Sequence, residues 1–533
     1  MSMDGAAPRF SARRGAPALM ILCAVVAAAF GPKLTSLGFY NDDWGWLPHI
    51  VDPGSRTILG LAQAFWRSET GGFAARPAGL VYFPFLFRFF GLHCALYQTL
   101  YLGIDVAVAW NFYRLLVEEG APRSQALLAG VFSALYPNHD ATHHWMTDSA
   151  APFALAGVLW AVRAFRGARR DGSCVRQCAA GVIYVFSALL YESSALLALL
   201  PAVLEFRDLL FRDRAVFVAA RESILKNAAP ISLLAGVVVF QRIIVPEFLG
   251  LEAHPMSLNP AHAAHVFQAG FECTFFNRLV DLMFRSSRYA VRSFGIVEWI
   301  IFACSALALA AWELSSRKLS ESPGGLLPVL AITLFVLGYA PYVFDAKYTP
   351  SIFDPTNRVN MTSSLGGAAW WAWLAGRLGC SARQRVRRAG AVGTCLLLSG
   401  FLLADQVSGV QWAGAAETQR SIMSDIVPRL RPIPGPAAVL LFGAPDRVGS
   451  GSVFESTYDF NGALRLHSGR NDLLGEIGSG RIRFEKKEAV LNWYGSRPFS
   501  YERLYAYDAS RRLLIRIADQ RAGEEFMRDL HSP

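Results

Sequence analysis

The sequence predicts an α-helical polytopic membrane protein with about eleven transmembrane helices, followed by a small C-terminal extracytoplasmic α/β domain. Three features predict this. The 533 residues are 53% hydrophobic and only 17% charged, where a soluble chain carries roughly 25% charged residues. Several apolar runs reach the roughly 20 residues that cross a bilayer core. The short loops between these runs alternate between basic and non-basic, which is the pattern that orients helices in a membrane.

The first run, 17–38, follows Arg9, Arg13 and Arg14, and no small-residue cleavage site follows it. It reads as a retained helix with its N-terminus in the cytoplasm. It emerges at Phe39-Tyr40-Asn41-Asp42-Asp43-Trp44-Gly45-Trp46, where two carboxylates sit among rings that favour a bilayer interface. A mixed, aromatic outer loop is expected over 39–76. Arg76-Pro77 then opens an apolar stretch ending near Gly91. Pro77 suits the first position of a helix, and about 15 residues is short for a span. If this stretch crossed the membrane, every basic loop after it would move outside, so it reads as interfacial or re-entrant.

Spans then run inward over 94–117 and outward over 124–136. The span 149–165 returns inward to Arg166, Arg169, Arg170 and Arg176, and 177–190 runs out to Glu192. The span 194–210 runs in to Arg207, Arg212, Arg214, Arg221 and Lys226, and 228–247 runs out into a segment covering 248–294. The span 295–314 enters towards Arg317 and Lys318, 325–344 exits, 361–378 enters towards Arg383, Arg385, Arg387 and Arg388, and 390–404 exits. Residues 1–405 thus form the transmembrane domain and 406–533 an outer α/β domain, in a bacterial-type inner membrane. In the latter, a helix is expected over 412–430, a breaker at Pro432-Ile433-Pro434-Gly435-Pro436, and a buried strand over 439–442. Strand-like runs follow over 481–493 and 504–517, the last with a turn near Asp508-Ala509-Ser510.

The net charge of +10 does not point to nucleic acid, because the basic residues cluster in loops and form no stripe with interleaved aromatics. The eight cysteines are scattered, with Cys23, Cys304 and Cys395 inside apolar runs, so they form no disulfide framework. Cys174 and Cys178, in a basic inner loop, read as a chance pair.

The polar residues of interest fall on the outer face. They are Asp42 and Asp43, then Asn138, His139, Asp140, His143, His144 and Asp148 in the second outer loop, Glu192, and finally Lys347, Asp354 and Arg358. Carboxylates and histidines there can act as general bases or hold a hard divalent cation through oxygen ligands, and metal use stays open. Lys347 and Arg358 can hold a phosphate, the arginine bidentately. Each also has a structural reading: a solvated helix cap for the acidic pair, a polar interfacial loop for the histidines, helix packing for Glu192, headgroup anchoring for Arg358. Arg76 is open between structure and donor contact. His262 and His265, three apart, read as loop packing.

An acidic pair after the first span, then Arg76-Pro77 leading to Phe90-Gly91-Leu92, resembles the GT-C superfamily of polytopic glycosyltransferases, most of all the protein O-mannosyltransferase type and its bacterial relatives. Tyr136-Pro137-Asn138-His139-Asp140 followed by Trp145, Leu190-Tyr191-Glu192-Ser193-Ser194 followed by Pro201, and Asn357-Arg358 resemble its later motifs, in order, over about 40–360. Tyr191 stands where a lysine is usual and Asp140 where a glutamate is. The resemblance implies an inverting glycosyltransferase that takes a sugar from a polyprenyl-phosphate-linked donor outside the cytoplasm. The acceptor would be a protein, polysaccharide or glycolipid. It implies that Asp42 or Asp43 is the catalytic base, that Asp140 is the acid of the second loop, and that Arg358 contacts the donor phosphate. Arg76, His139, Glu192 and Lys347 would line the substrate site. A transporter or lipid-linked-sugar flippase is the rival expectation; its polar residues should lie near the midplane, on broken helices. A membrane scaffold with a degenerate site is a third.

Overall fold

The computed structural model describes residues 12–51, 57–68, 75–249, 259–316, 325–345, 348–353, 355–478, 482–492 and 496–531. Helix α1 (Ala12–Phe30) leads through a short 3-10 turn to α2 (Asp42–Val51) and α3 (Ile58–Ser68). Helices α4 (Gly79–Phe90), α5 (Cys94–Glu118) and α6 (Arg123–Ala134) follow, then the single turn α7 (Ala141–His144), α8 (Ala150–Asp171) and α9 (Cys174–Leu190). A 3-10 segment, Glu192–Leu199, precedes α10 (Leu200–Leu210), α11 (Val216–Lys226) and α12 (Ala228–Val239), which continues through the π-helical Phe240–Ile244 into α13 (Val245–Leu249). The helical part closes with α14 (Pro260–Phe275), α15 (Asn277–Ser293), α16 (Ile296–Ser316), α17 (Leu326–Val343), α18 (Met361–Gly379) and α19 (Gln384–Leu430).

Among the described residues, six helical segments are long and apolar enough to cross a membrane: Gly15–Lys33, Cys94–Glu118, Ala228–Glu247, Ile296–Ser315, Leu326–Val343 and Gln384–Leu430. This is the architecture of a helical membrane protein. The other expected spans are shorter or more polar. Helix α6 has 12 residues and buries most of them against α5 and α18. Helix α8 carries Arg163, Arg166, Arg169 and Arg170 in its second half. There, at the end of the bundle away from Asp42, Arg166 bridges Glu119, Glu205 and Asp208 at 2.7–3.0 Å. The 77–91 stretch forms the 12-residue α4, with Ala78 as N-cap, so the helix begins two residues after Pro77.

Three segments are more ordered than the sequence reading had them. The 39–76 loop contains α2 and α3. Asp42 and Asp43 in the first turn of α2 complement its dipole, and Trp44, Leu47 and Ile50 bury one face. The 248–294 segment holds α14, packed on α17, and α15, packed on α19. Residue 405 lies inside α19, which runs 47 residues without interruption, about 70 Å at 1.5 Å per residue. No breaker interrupts it before Pro428, and its second half buries Trp412, Ile422, Ile426 and Leu430 against the C-terminal strands.

The C-terminal region comprises β1 (Ala437–Phe442), β2 (Arg447–Val448), β3 (Gly451–Ser452), α20 (Thr457–Ser468), β4 (Leu473–Ile477), β5 (Ile482–Phe484), β6 (Glu488–Asn492), β7 (Ser496–Ser500), β8 (Leu504–Asp508), β9 (Leu513–Ile517) and α21 (Gln520–His531). Its main sheet has the order β4-β1-β8-β9, with β1 parallel to both neighbours and β9 antiparallel to β8. Strand β1, Ala437-Ala-Val-Leu-Leu-Phe442, is central and nearly all buried, as a continuous apolar run predicts. The β8–β9 turn is held by Asp508, whose carboxylate accepts the Ser510 N–H at 2.9 Å.

Helix α20 seats directly on α2. Pro48 has no N–H to give to the carbonyl four residues back, that of Trp44. Gly462 packs against that Trp44 carbonyl so closely that a Cβ would collide with it. Gly462→Ala is therefore expected to cost about 1–3 kcal/mol through overpacking. Thermal unfolding in detergent checks this, and an unchanged midpoint refutes the close contact.

Candidate functional site

Asn41 adopts φ +45°, a left-handed turn that asparagine tolerates, and points the chain into α2. Its side-chain oxygen accepts from Ser452 at 2.6 Å. The two adjacent aspartates then separate. Asp43 is fully buried and accepts from Tyr40 N at 3.0 Å, Met146 N at 3.2 Å, Thr147 N at 2.8 Å and Thr147 Oγ1 at 2.7 Å. Burial pushes its carboxyl up to about 7, against the pull of the Tyr40 and Thr147 donors towards the charged form. Asp43 ties the first helix exit to the second loop. Asp42 is only partly buried and lines a cleft between α2 and α20.

Near Asp42 stand two cation–carboxylate pairs. Arg358, in the 3-10 segment Pro355–Asn360, donates to Asp148 Oδ1 at 3.0 Å. Burial disfavours the Arg358 cation, but Asp148 and Asp42 together with the Tyr191 and Tyr348 hydroxyls outweigh that and keep it charged. Burial pushes the Asp148 carboxyl up to about 6, with Arg358 opposing. Arg76 grips Glu192 bidentately, Nε to Oε2 at 2.7 Å. Burial alone would raise the Glu192 carboxyl, but Arg76, a backbone donor and Arg242 together hold it below the usual carboxylate range. These two side chains are 37% and 35% exposed, open enough to meet a ligand. The aromatic rings bind the pairs together. Arg76 lies 4.5 Å over Tyr191, and Arg358 lies 5.2 Å from Trp145 and 5.7 Å from Tyr348. The Asp42 charge acts on both Asp148 and Arg358, and that of Arg358 on Arg76. Asp148 Oδ2 and Trp145 Nε1 are buried beside Arg358 without a hydrogen-bond partner among the described residues, an acceptor and a donor left for a ligand or water.

Asp140 and His139 lie elsewhere. Asp140 is 5% exposed, and its two oxygens are taken by Asn357 Nδ2, Ser408 Oγ (2.6 Å) and Trp412 Nε1 (3.0 Å). It anchors the residue before Arg358 to α19 and does not face the Asp42 cleft. His139 is buried, its Nδ1 3.0 Å from Thr142 Oγ1, and burial holds it neutral. It adjoins His143, which pairs with Asp105 at 2.9 Å and stacks on Phe30. Burial lowers His144 to about 3. Asp405 lies near Asp140 and Asp105, and among the described residues both its oxygens are unpartnered, as are His143 Nε2 and both His144 ring nitrogens. Lys347 and Asp354 lie outside the described residues. Among the described residues, no group of three or more His, Cys, Asp or Glu side chains is arranged to hold a metal ion.

Sequence reasoning did not single out Asp105, Asp405, Tyr458 or Arg465. For the first two a signal existed, since each is a carboxylate in or beside an apolar run. For the last two none did, because only the docking of α20 on α2 brings them to Asp42. No protein-family model matches the chain, and no curated protein matches it.

The unequal roles of the pair are measurable. Asp43→Ala strands three buried backbone N–H groups, at about 1–3 kcal/mol for an unmet group, so a loss of about 3 kcal/mol or more is expected. Asp42→Ala should stay within about 1 kcal/mol. Equal losses on thermal unfolding in detergent contradict the assignment. Asp148 makes a pH prediction. Its carboxyl titrates near 6 in the folded chain and near 3.9 in the unfolded one, as an ordinary aspartate does. The folded state thus binds the extra proton, and the stability this brings is full below about pH 4 and lost as pH rises through about 6. Asp148→Asn should flatten that part of the unfolding-temperature profile, and an unaltered slope refutes it.

Proposed function

We propose that the chain is an inverting glycosyltransferase that moves a sugar from a polyprenyl-phosphate donor to a hydroxyl or amine of a protein, polysaccharide or glycolipid. On this reading it lies in a bacterial-type inner membrane with about eleven spans, a cytoplasmic N-terminus and its site and C-terminal region outside. The observation that carries the proposal is the neighbourhood of Asp42. A partly open carboxylate acts on Arg358, whose charge in turn reaches Arg76, and both arginines stay cationic, Arg358 largely buried and Arg76 partly exposed.

The chemistry follows from these groups. Asp42 takes the acceptor proton as general base. The freed oxygen or nitrogen attacks the anomeric carbon, and the bond from that carbon to the phosphate oxygen breaks. The lipid phosphate leaves with the electron pair, and Arg358 and Arg76 stabilise its charge. Asp43 and Asp140 act as positioning residues, one for α2 and the other for the Asn357-Arg358 segment.

A lipid tail also has a place to lie. A groove of about 950 Å³ runs between α14, α15, α17 and α18, walled by Phe271, Phe275, Phe284, Phe335 and Trp370. Helix α15, one wall of this groove, also touches the segment leading to Arg358: Arg278 donates to Pro350 O at 3.2 Å and Arg285 covers Phe353.

The buried group of Asp105, Asp405, His143 and His144 favours a second reading, a transporter or lipid-linked-sugar flippase. Purified protein supplied with a panel of polyprenyl-phosphate sugars separates the two. Transfer to an acceptor supports the enzyme, and movement across a vesicle without bond cleavage supports the flippase. For the enzyme, Asp42→Asn should lower kcat by about 10²–10⁴-fold with little change in unfolding temperature. Full transfer by that variant overturns the mechanism.

A further inference from the structure

The cleft that Asp42 lines has a second wall, contributed by the far end of the chain. Its volume is about 290 Å³, at the small end for a ligand site. Helix α2 supplies Asp42, Trp46 and His49, and α20 supplies Tyr458, Asn461 and Arg465. The Tyr458 hydroxyl faces the Asp42 carboxylate at one end. Arg465 is anchored through Nε to Leu473 O at 3.1 Å, and no ion-pair partner holds its remaining N–H groups among the described residues. Asn461 uses its side-chain oxygen on Gly475 N at 2.9 Å, which fixes the amide plane and leaves its NH₂ to donate. Burial holds His49 in its neutral form, able both to donate and to accept. Trp46 is fixed by edge-on contacts with Phe65 and Phe83.

This set has a clear chemical preference. A fixed indole offers an apolar surface to the C–H face of a hydroxylated ring. Planar amide, imidazole and guanidinium groups match adjacent hydroxyls with paired donors and acceptors. A purely apolar or a purely ionic ligand would leave half of the cleft unmatched. We propose that the α2–α20 cleft is a saccharide-binding subsite that presents an acceptor hydroxyl to Asp42, with Asn461 and Arg465 as its specificity-determining residues. The acceptor role rests on the transferase reading, whereas saccharide binding in the cleft does not.

The full-length protein in detergent can be titrated with free neutral hexoses, N-acetylhexosamines and hexuronates. Ligand-observed NMR then measures binding to the wild type, Asn461→Ala, Arg465→Ala and Arg465→Lys. At least one sugar class should bind, and each substitution should weaken it by about tenfold, equivalent to about 1.4 kcal/mol. In the transfer assay the same variants should raise the KM of a glycan acceptor far more than that of the donor. Arg465→Lys keeps the charge while losing the planar fork, so it reports on recognition if the alanine variant misfolds. The subsite is overturned if no sugar binds, or if the folded variants bind as well as the wild type. Transfer with acceptor KM unchanged in the variants also refutes the subsite and leaves the transferase standing. Saccharide binding without transfer refutes the transferase and leaves the subsite standing.

Discussion

The acceptance of four hydrogen bonds by one buried carboxylate, Asp43, is the constraint on which the rest of this site depends. A buried charge is tolerable only when its lone pairs are met, and those of Asp43 are met by three backbone N–H groups and the Thr147 hydroxyl from two separate loops. That requirement fixes where α2 starts relative to the loop carrying Trp145 and Asp148. With α2 placed, the Trp44 carbonyl that Pro48 leaves free is presented to Gly462, and α20 can dock. With α20 docked, Asp42 lies in a cleft instead of at an open surface. One carboxylate organises the site and its neighbour is left to act in it.

Two polar layers result, and they obey different electrostatics. In the upper layer each charge has an opposite charge or a ring beside it, as in the Arg76–Glu192 and Arg358–Asp148 pairs, and the first of these also has access to solvent. In the deeper layer Asp140 is saturated by Ser408, Trp412 and Asn357, whereas the Asp405 carboxylate and the His144 ring nitrogens have no hydrogen-bond partner among the described residues. Unmet groups at such depth are costly, so they mark where water, a proton or a ligand completes the structure. The two layers meet at Asn357-Arg358, one residue facing each.

Much of the fold was legible because it follows from local periodicity and composition. The long apolar segments, the short 77–91 stretch, the central strand near 439–442 and the paired strands over 504–517 all correspond to described elements. The helices inside 39–76 and 248–294 were hidden because loops rich in aromatics resemble amphipathic helices in composition, and packing on α17, α19 and α20 decides between them. The 405/406 boundary was placed by a drop in hydropathy, which a helix can cross without a break.

For the site, the sequence by itself determined which residue types gather at the loop ends of the helices, because charge is expelled from apolar runs and ionisable residues near a membrane are few. It pointed to Asp42, Asp43, Arg76, Glu192 and Arg358, and to Asp140 and His139, with the acidic pair foremost. Only the tertiary structure decided that Asp42 is open while Asp43 is saturated, that Asp140 and His139 turn into the bundle, and that Tyr458, Asn461 and Arg465 complete the cleft. Adjacent residues share a sequence environment but point in different directions. Three of the four donors that saturate Asp43 lie about a hundred residues away, and the helix that encloses Asp42 in its cleft lies more than four hundred away, beyond the reach of any local pattern.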